Sequence, residues 1–88
     1  MSYQLVRSPR AMRQLRQLRS MRHPLHNAVI EAITALAEAS RPPGCVKLVG
    51  RPEWRIRVGD LRILYLIDDA HQIVTITDIG HRRAIYRQ

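Results

Sequence analysis

Trp54-Arg55-Ile56-Arg57-Val58-Gly59-Asp60-Leu61-Arg62-Ile63-Leu64-Tyr65 is the stretch whose reading decides the fold. Apolar and polar side chains alternate with period two on either side of Gly59-Asp60, a pair that suits a two-residue hairpin turn with glycine first. With those two residues as the loop, Val58 pairs with Leu61, Arg57 with Arg62, Ile56 with Ile63 and Arg55 with Leu64. Trp54, Ile56, Val58, Leu61, Ile63 and Tyr65 then share one face, a continuous apolar surface for the core. Arg55, Arg57 and Arg62 share the other. Like charges directly opposed across a ladder are destabilising, by about 0.2–1 kcal/mol per pair, so folding alone gives no reason to set Arg57 against Arg62. The plain alternative is an ordinary solvated sheet face; three arginines together favour an anion-binding surface.

Working outward, Gln72 to Ile79 forms a third run of β-character, joined to Leu61–Asp68 by a turn at Asp69-Ala70. Ile79-Gly80 should return to the same end of the sheet as Gly59-Asp60, so His81, Arg82, Arg83 and Tyr86 are expected close to Arg57 and Arg62. On the N-terminal side, Arg41-Pro42-Pro43-Gly44 cannot continue a helix, and helical periodicity precedes it. Tyr3 to Arg7 reads as a short strand. Ser8-Pro9 is a helix start, predicting a first helix over Pro9–Arg19 with Met12, Leu15 and Leu18 inward. A second helix is predicted from about Pro24 to Ser40, with Leu25, Val29, Ile33 and Leu36 at spacings of three and four. The order implies a single α+β domain over residues 1–88: an N-terminal strand, a two-helix hairpin, then an antiparallel three-stranded meander with a short C-terminal segment. The helices cover one face of the sheet and leave the other open.

Composition narrows the partner. Apolar residues at 45% and charged residues at 25% match a folded globular chain. Fourteen Arg and one Lys against seven acids give a net charge of +8, a surface that seeks polyanions because each docked cation releases counterions from the phosphates. The choice of arginine suits phosphate, which its planar fork grips bidentately. Arg10, Arg13, Arg16, Arg19 and Arg22 recur every three residues along the first helix, a basic stripe without an acidic counterpart; Arg13, Arg16 and Arg19 are its candidate RNA contacts. No apolar run is long enough to span a membrane and no secretory leader pattern is visible, so a cytoplasmic protein is expected. Cys45 is the single cysteine and can form no internal disulfide. His23 and His26 lack a well-spaced third ligand, so neither a metal nor another cofactor is expected.

Two segments, Trp54 to Tyr65 and Gly80-His81-Arg82-Arg83-Ala84-Ile85-Tyr86-Arg87, together with Lys47-Leu48-Val49-Gly50, resemble the signature of the RelE/ParE toxins. The resemblance covers essentially the whole chain. It implies a toxin of a type II toxin–antitoxin system. RelE-like members cut messenger RNA on the ribosome without metal, leaving a cyclic phosphate; ParE-like members bind DNA gyrase and are not nucleases. Retention of Arg62, Arg82 and Tyr86 favours the endoribonuclease. The resemblance also implies an acidic antitoxin partner in a hetero-oligomer, and the ribosome with its message as target.

Carried over residue by residue, the basic pair of the second-strand motif falls on Arg55 and Arg57, where some relatives carry lysine. Arg62 and Arg82 become candidates for clamping the phosphate and stabilising the transition state. Tyr86 either stacks on a base or, as a phenolate favoured by surrounding positive charge, takes a proton. Arginine cannot serve as general base, so the departure from lysine leaves His81 as the other titratable candidate. Lys47 and Arg83 complete the expected RNA contacts.

Overall fold

The Ala11 amide donates to Ser8 Oγ (3.0 Å), and Pro9 sits in the first turn, so the first strand hands the chain directly to a helix. The computed structural model describes residues 2–81. Its elements are β1 (Gln4–Arg7), α1 (Pro9–Ser20), α2 (His26–Ala35), β2 (Val46–Lys47), β3 (Trp54–Val58), β4 (Leu61–Asp68) and β5 (Ile73–His81). The sheet order is β1-β5-β4-β3-β2, with β1 parallel to β5 and every other neighbour antiparallel. The fold is the predicted α+β arrangement, with β2 as a short additional edge strand.

The hairpin register is the one read from the sequence, from Val58↔Leu61 to Trp54↔Tyr65. Gly59 has φ 57° and Asp60 lies outside the positive-φ region, the pattern of a turn that needs glycine first. Helices α1 and α2 pack on one face. Ala11, Leu15 and Leu18 meet Val29, Ile33 and Leu36 over Ile56, Leu61, Ile63, Tyr65, Val74, Ile76 and Ile79.

Four expectations need correction. Met12 is 44% exposed while Ala11 is fully buried, because the Ser8 cap fixes the helix phase so that positions 11, 15 and 18 face inward. The second helix ends at Ala35, where bonds from Leu36 to Ile33, Ala37 to Thr34 and Glu38 to Ala35 tighten it into i→i−3 turns. The β4–β5 connection spans four residues between Asp68 and Ile73, since the Asp68 carboxylate accepts from the His71 amide (3.1 Å) and Gln72 takes φ 55°. Finally, the second sheet face is not uniformly open: Leu64, in register with Arg55 and Asp78, has no exposed surface.

After α1, the Arg22 amide donates to Arg19 O (3.1 Å) and the His23 amide to Leu18 O (2.9 Å), the paired bonds of a Schellman ending. Arg22 carries φ 51° at the position that glycine fills best. Arg22→Gly is expected to stabilise the domain by about 1 kcal/mol, read as a Tm rise of about 4–8 °C by circular dichroism.

At the opposite end of the sheet, Tyr3 Oη donates to Asp69 Oδ1 (2.6 Å) and Arg41 Nη2 pairs with Asp69 Oδ2 (2.9 Å). Arg41 also lies 5.0 Å from the Trp54 ring centre, a cation–π contact that draws the 40s loop onto the sheet. Hydrogen bonding from Arg41, then from Tyr3, holds the Asp69 carboxyl below the usual carboxylate range. A carboxyl depressed in the folded state adds stability that is present above its unfolded value, about 3.9, and is lost as pH falls through the folded one. Asp69→Asn is therefore expected to lower Tm at pH 7 and to narrow its gap to the wild type at pH 3. Equal gaps at both pH values would contradict that linkage. Buried Tyr65 anchors the same loop by donating from its hydroxyl to Ser40 O (2.9 Å), and burial pushes its phenol up.

Candidate functional site

Arg55, Arg57 and Arg62 stand on the sheet face away from the helices. Their places are set by the ladder: Arg57 opposes Arg62, and Arg55 opposes Leu64. Arg62 is only 8% exposed, the one charged residue among the buried described positions. Its Nη1 reaches Asp60 O at 3.4 Å, a long bond, and its Nε is buried with no partner among the described residues. Arg55 Nε is buried and unpartnered in the same way.

The ion pairs among the described residues lie elsewhere: Arg10–Asp78, Arg41–Asp69, Arg51–Glu53 and His71–Asp68. A buried guanidinium with no ion-pair partner among the described residues is an unmet electrostatic demand, costing about 1–3 kcal/mol for each donor left unsatisfied. Beside it, a cleft of about 450 Å³ opens along β3, lined by Pro43, Gly44, Arg55, Ile56 and Arg57. The chemistry this favours is capture of an anion with several acceptor oxygens, which a phosphodiester supplies.

The remaining predicted residues fall in different places. Lys47 opposes Trp54 in the ladder, so it belongs to the opposite side from Arg55, and its Nζ donates to Arg51 O (2.7 Å). Arg13, Arg16 and Arg19 are exposed along α1, in the helical layer and not on the arginine face. The helix stripe is not free of acids, since Arg10 Nε lies 3.5 Å from Asp78. Arg82, Arg83 and Tyr86 lie outside the described residues.

His81 is not brought beside Arg57 and Arg62 as expected. The ladder jumps from Tyr65↔Ile76 to Leu64↔Asp78, leaving Thr77 as the extra residue of a β-bulge. Inward positions on β5 consequently switch from Val74 and Ile76 to Ile79 and His81. His81 opposes Leu61 on the helix side, where its ring centre lies 6.5 Å from that of His23. Bulges commonly re-aim a side chain in this way. Without it, Gly80 would have faced the helices and His81 the arginines.

Sequence reasoning also missed Gln14 and Asp78. Beyond Arg7, β1 no longer covers β5, and the Gln14 side chain takes over: its Oε1 accepts from the Ile79 amide (2.7 Å) and its Nε2 donates to Asp78 Oδ1 (2.7 Å). No sequence signal marks a side chain that substitutes for a strand.

A short strand, a helix pair and an antiparallel meander, with arginines that have no ion-pair partner among the described residues, define a class of small basic α+β domains, and the comparisons with known proteins say which family this one belongs to. The family described as "ParE toxin of type II toxin-antitoxin system, parDE" matches residues 5–86. The chain belongs to that family and is a type II toxin of the RelE/ParE superfamily.

Among solved structures, the chain is similar to the Mycobacterium tuberculosis RelBE2 toxin–antitoxin complex, at 27% identity and TM-score 0.76, over 93% of this chain and 100% of that one. It resembles the archaeal RelE–RelB complex of Pyrococcus horikoshii at 20% identity and TM-score 0.77, over 93% and 97% of the two chains. The isolated E. coli RelE toxin aligns at 22% identity and TM-score 0.76, over 97% and 92%. The last two likenesses show the fold alone. No curated protein sequence matches significantly. Two of these neighbours were solved as complexes of a toxin with its antitoxin. No helix among the described residues is long and apolar enough to cross a membrane.

Proposed function

We propose that this toxin is a metal-independent endoribonuclease that cuts messenger RNA on the ribosome in the cytoplasm, with an acidic antitoxin as its neutralising partner. The observation that carries the reading is Arg62, a nearly buried guanidinium with no ion-pair partner among the described residues, beside Arg57 in the ladder and on one face with Arg55. A protein retains such a charge against its own stability where an external anion completes it. A scissile phosphodiester is that anion. The ribose 2′-oxygen attacks phosphorus, its proton passes to a base, and the 5′-oxygen leaves with a proton, giving a 2′,3′-cyclic phosphate and a 5′-hydroxyl. Arg62, with Arg82, neutralises the charge that builds on the phosphorane, while Arg55 and Arg57 hold the flanking backbone. Tyr86 is the titratable group left for the proton, since the bulge in β5 turns His81 to the helix side, away from Arg57 and Arg62. Lys47, Arg83, Arg13, Arg16 and Arg19 supply outlying contacts, the three helix residues forming a second basic surface suited to ribosomal RNA.

The ParE description of the matching family favours a second reading, binding of DNA gyrase without cleavage. Inducing the chain alone in bacteria and mapping message 5′ ends separates the two. New cuts inside reading frames, absent from Arg82→Ala and Tyr86→Ala, are expected. Growth arrest with intact messages would move the function to gyrase.

A further inference from the structure

A second cleft, of about 290 Å³, lies between the end of α1 and the end of β5 on the helix side. Its floor is apolar, from Leu18, Leu61 and Ile79, and its rim carries Gln17, His23 and His81. We infer that this cleft is a pocket for one nucleobase of a single-stranded RNA. The inference rests on the nuclease reading above and adds a base-reading subsite to it.

Four observations carry it. The volume lies near the bottom of the ~300–1,000 Å³ range of small-molecule pockets, which suits a single ring system, and an apolar floor with a few polar groups is the usual make-up of such a site. One donor is fixed: the Leu25 amide donates to His23 Nδ1 (3.0 Å), so that nitrogen is the acceptor and Nε2 of the neutral ring carries the hydrogen. The Gln17 amide and the His81 ring make no hydrogen bond among the described residues, whereas Gln14, also in the lining, is committed to Ile79 and Asp78. Donor, acceptor and apolar floor together match a base edge and its π-face.

The pocket also adjoins the arginine site. Gly80 lines it and is directly opposite Arg62 in the β4–β5 ladder. Directly opposed Cα atoms in an antiparallel pair lie about 4.5–5.5 Å apart. Gly80 places no side chain between them. A strand whose phosphate meets Arg62 can therefore turn a neighbouring base past Gly80 toward the helix side. Exposed Arg13, one turn before Gln17 on α1, offers a cation to the next phosphate.

Two measurements test the pocket. The first is ultraviolet crosslinking of the purified full chain to a uridine-containing single-stranded oligonucleotide, with the crosslinked peptides identified by mass spectrometry. Adducts on the segment holding Met21 and His23 are expected; adducts confined to the segment from Arg55 to Arg62 would overturn the pocket. The second compares cut sites that differ in one base, as a ratio within each reaction, for wild type, Gln17→Ala and His23→Asn. Asparagine keeps an acceptor for the Leu25 amide but removes the Nε2 donor. Loss of one base contact should shrink the preference about tenfold at a single position next to the cut. Unchanged ratios in both variants would sink the inference while leaving the nuclease intact. Absence of any cutting by the wild type would instead refute the nuclease reading, with the crosslinks still deciding the pocket.

Discussion

Arg62→Met is expected to lower the rate of message cleavage by about 10²–10³-fold, the scale for removing one preorganised group that stabilises transition-state charge, and at the same time to make the protein more stable. The two effects share one cause. Arg62 is 8% exposed, and among the described residues its Nε is unpartnered and its one hydrogen bond is 3.4 Å long. Methionine keeps much of the length and apolar bulk of the stem and removes the desolvated charge, which should return about 1–3 kcal/mol. In a domain of this size that is a Tm rise of at least about 4 °C. Thermal unfolding followed by circular dichroism, beside a cleavage assay on the same preparations, reads both. A methionine variant that is less stable than wild type would show that Arg62 serves the fold, and the strongest argument for the site would go with it.

The second large effect is expected at the hairpin turn. Gly59 has φ 57°, and a Cβ built there would stand 2.7 Å from Leu25 Cδ1. Gly59→Ala combines about 1–2 kcal/mol of left-handed backbone strain with the displacement of Leu25 from its packing at the start of α2. A total loss of about 2–3 kcal/mol follows, and Tm should fall by about 10 °C or more. Cleavage should decline as well, because the adjacent Asp60 carbonyl accepts from Arg62 Nη1. An alanine variant with wild-type Tm would mean that the turn relaxes to another conformation without consequence.

The hairpin register was legible because two signals coincide there: a Gly-Asp pair at the turn and apolar–polar alternation from Trp54 to Ile63. That one reading placed Arg55, Arg57 and Arg62 on a common face and opposed Arg57 to Arg62, as the structure has them. The bulge at Thr77 was missed because neither glycine nor proline marks it. Its trace is the spacing of the apolar residues: Val74 and Ile76 are two apart, but Ile76 and Ile79 are three apart, a change of parity inside one strand. Reading that change would have put His81 beside His23. Strand β2 has only Val46 and Lys47, too short for any periodicity. The links Arg10–Asp78, Gln14–Ile79 and Arg41–Asp69 join residues far apart in sequence, and charge alternation cannot foresee partners that only the fold brings together. The near-complete burial of Arg62 was equally invisible, since an arginine at an alternating position reads as solvated.

The measurement that bears most directly on the account is incubation of the purified wild-type toxin, freed of antitoxin, with ribosomes programmed by a defined message, followed by analysis of the new RNA ends. A cut within a codon is expected, in the presence of a chelator that spares the ribosome's magnesium, with a 2′,3′-cyclic phosphate on one fragment and a 5′-hydroxyl on the other, slowed at least about 100-fold by Arg62→Met. A message left intact by a toxin that still arrests growth would contradict the endoribonuclease.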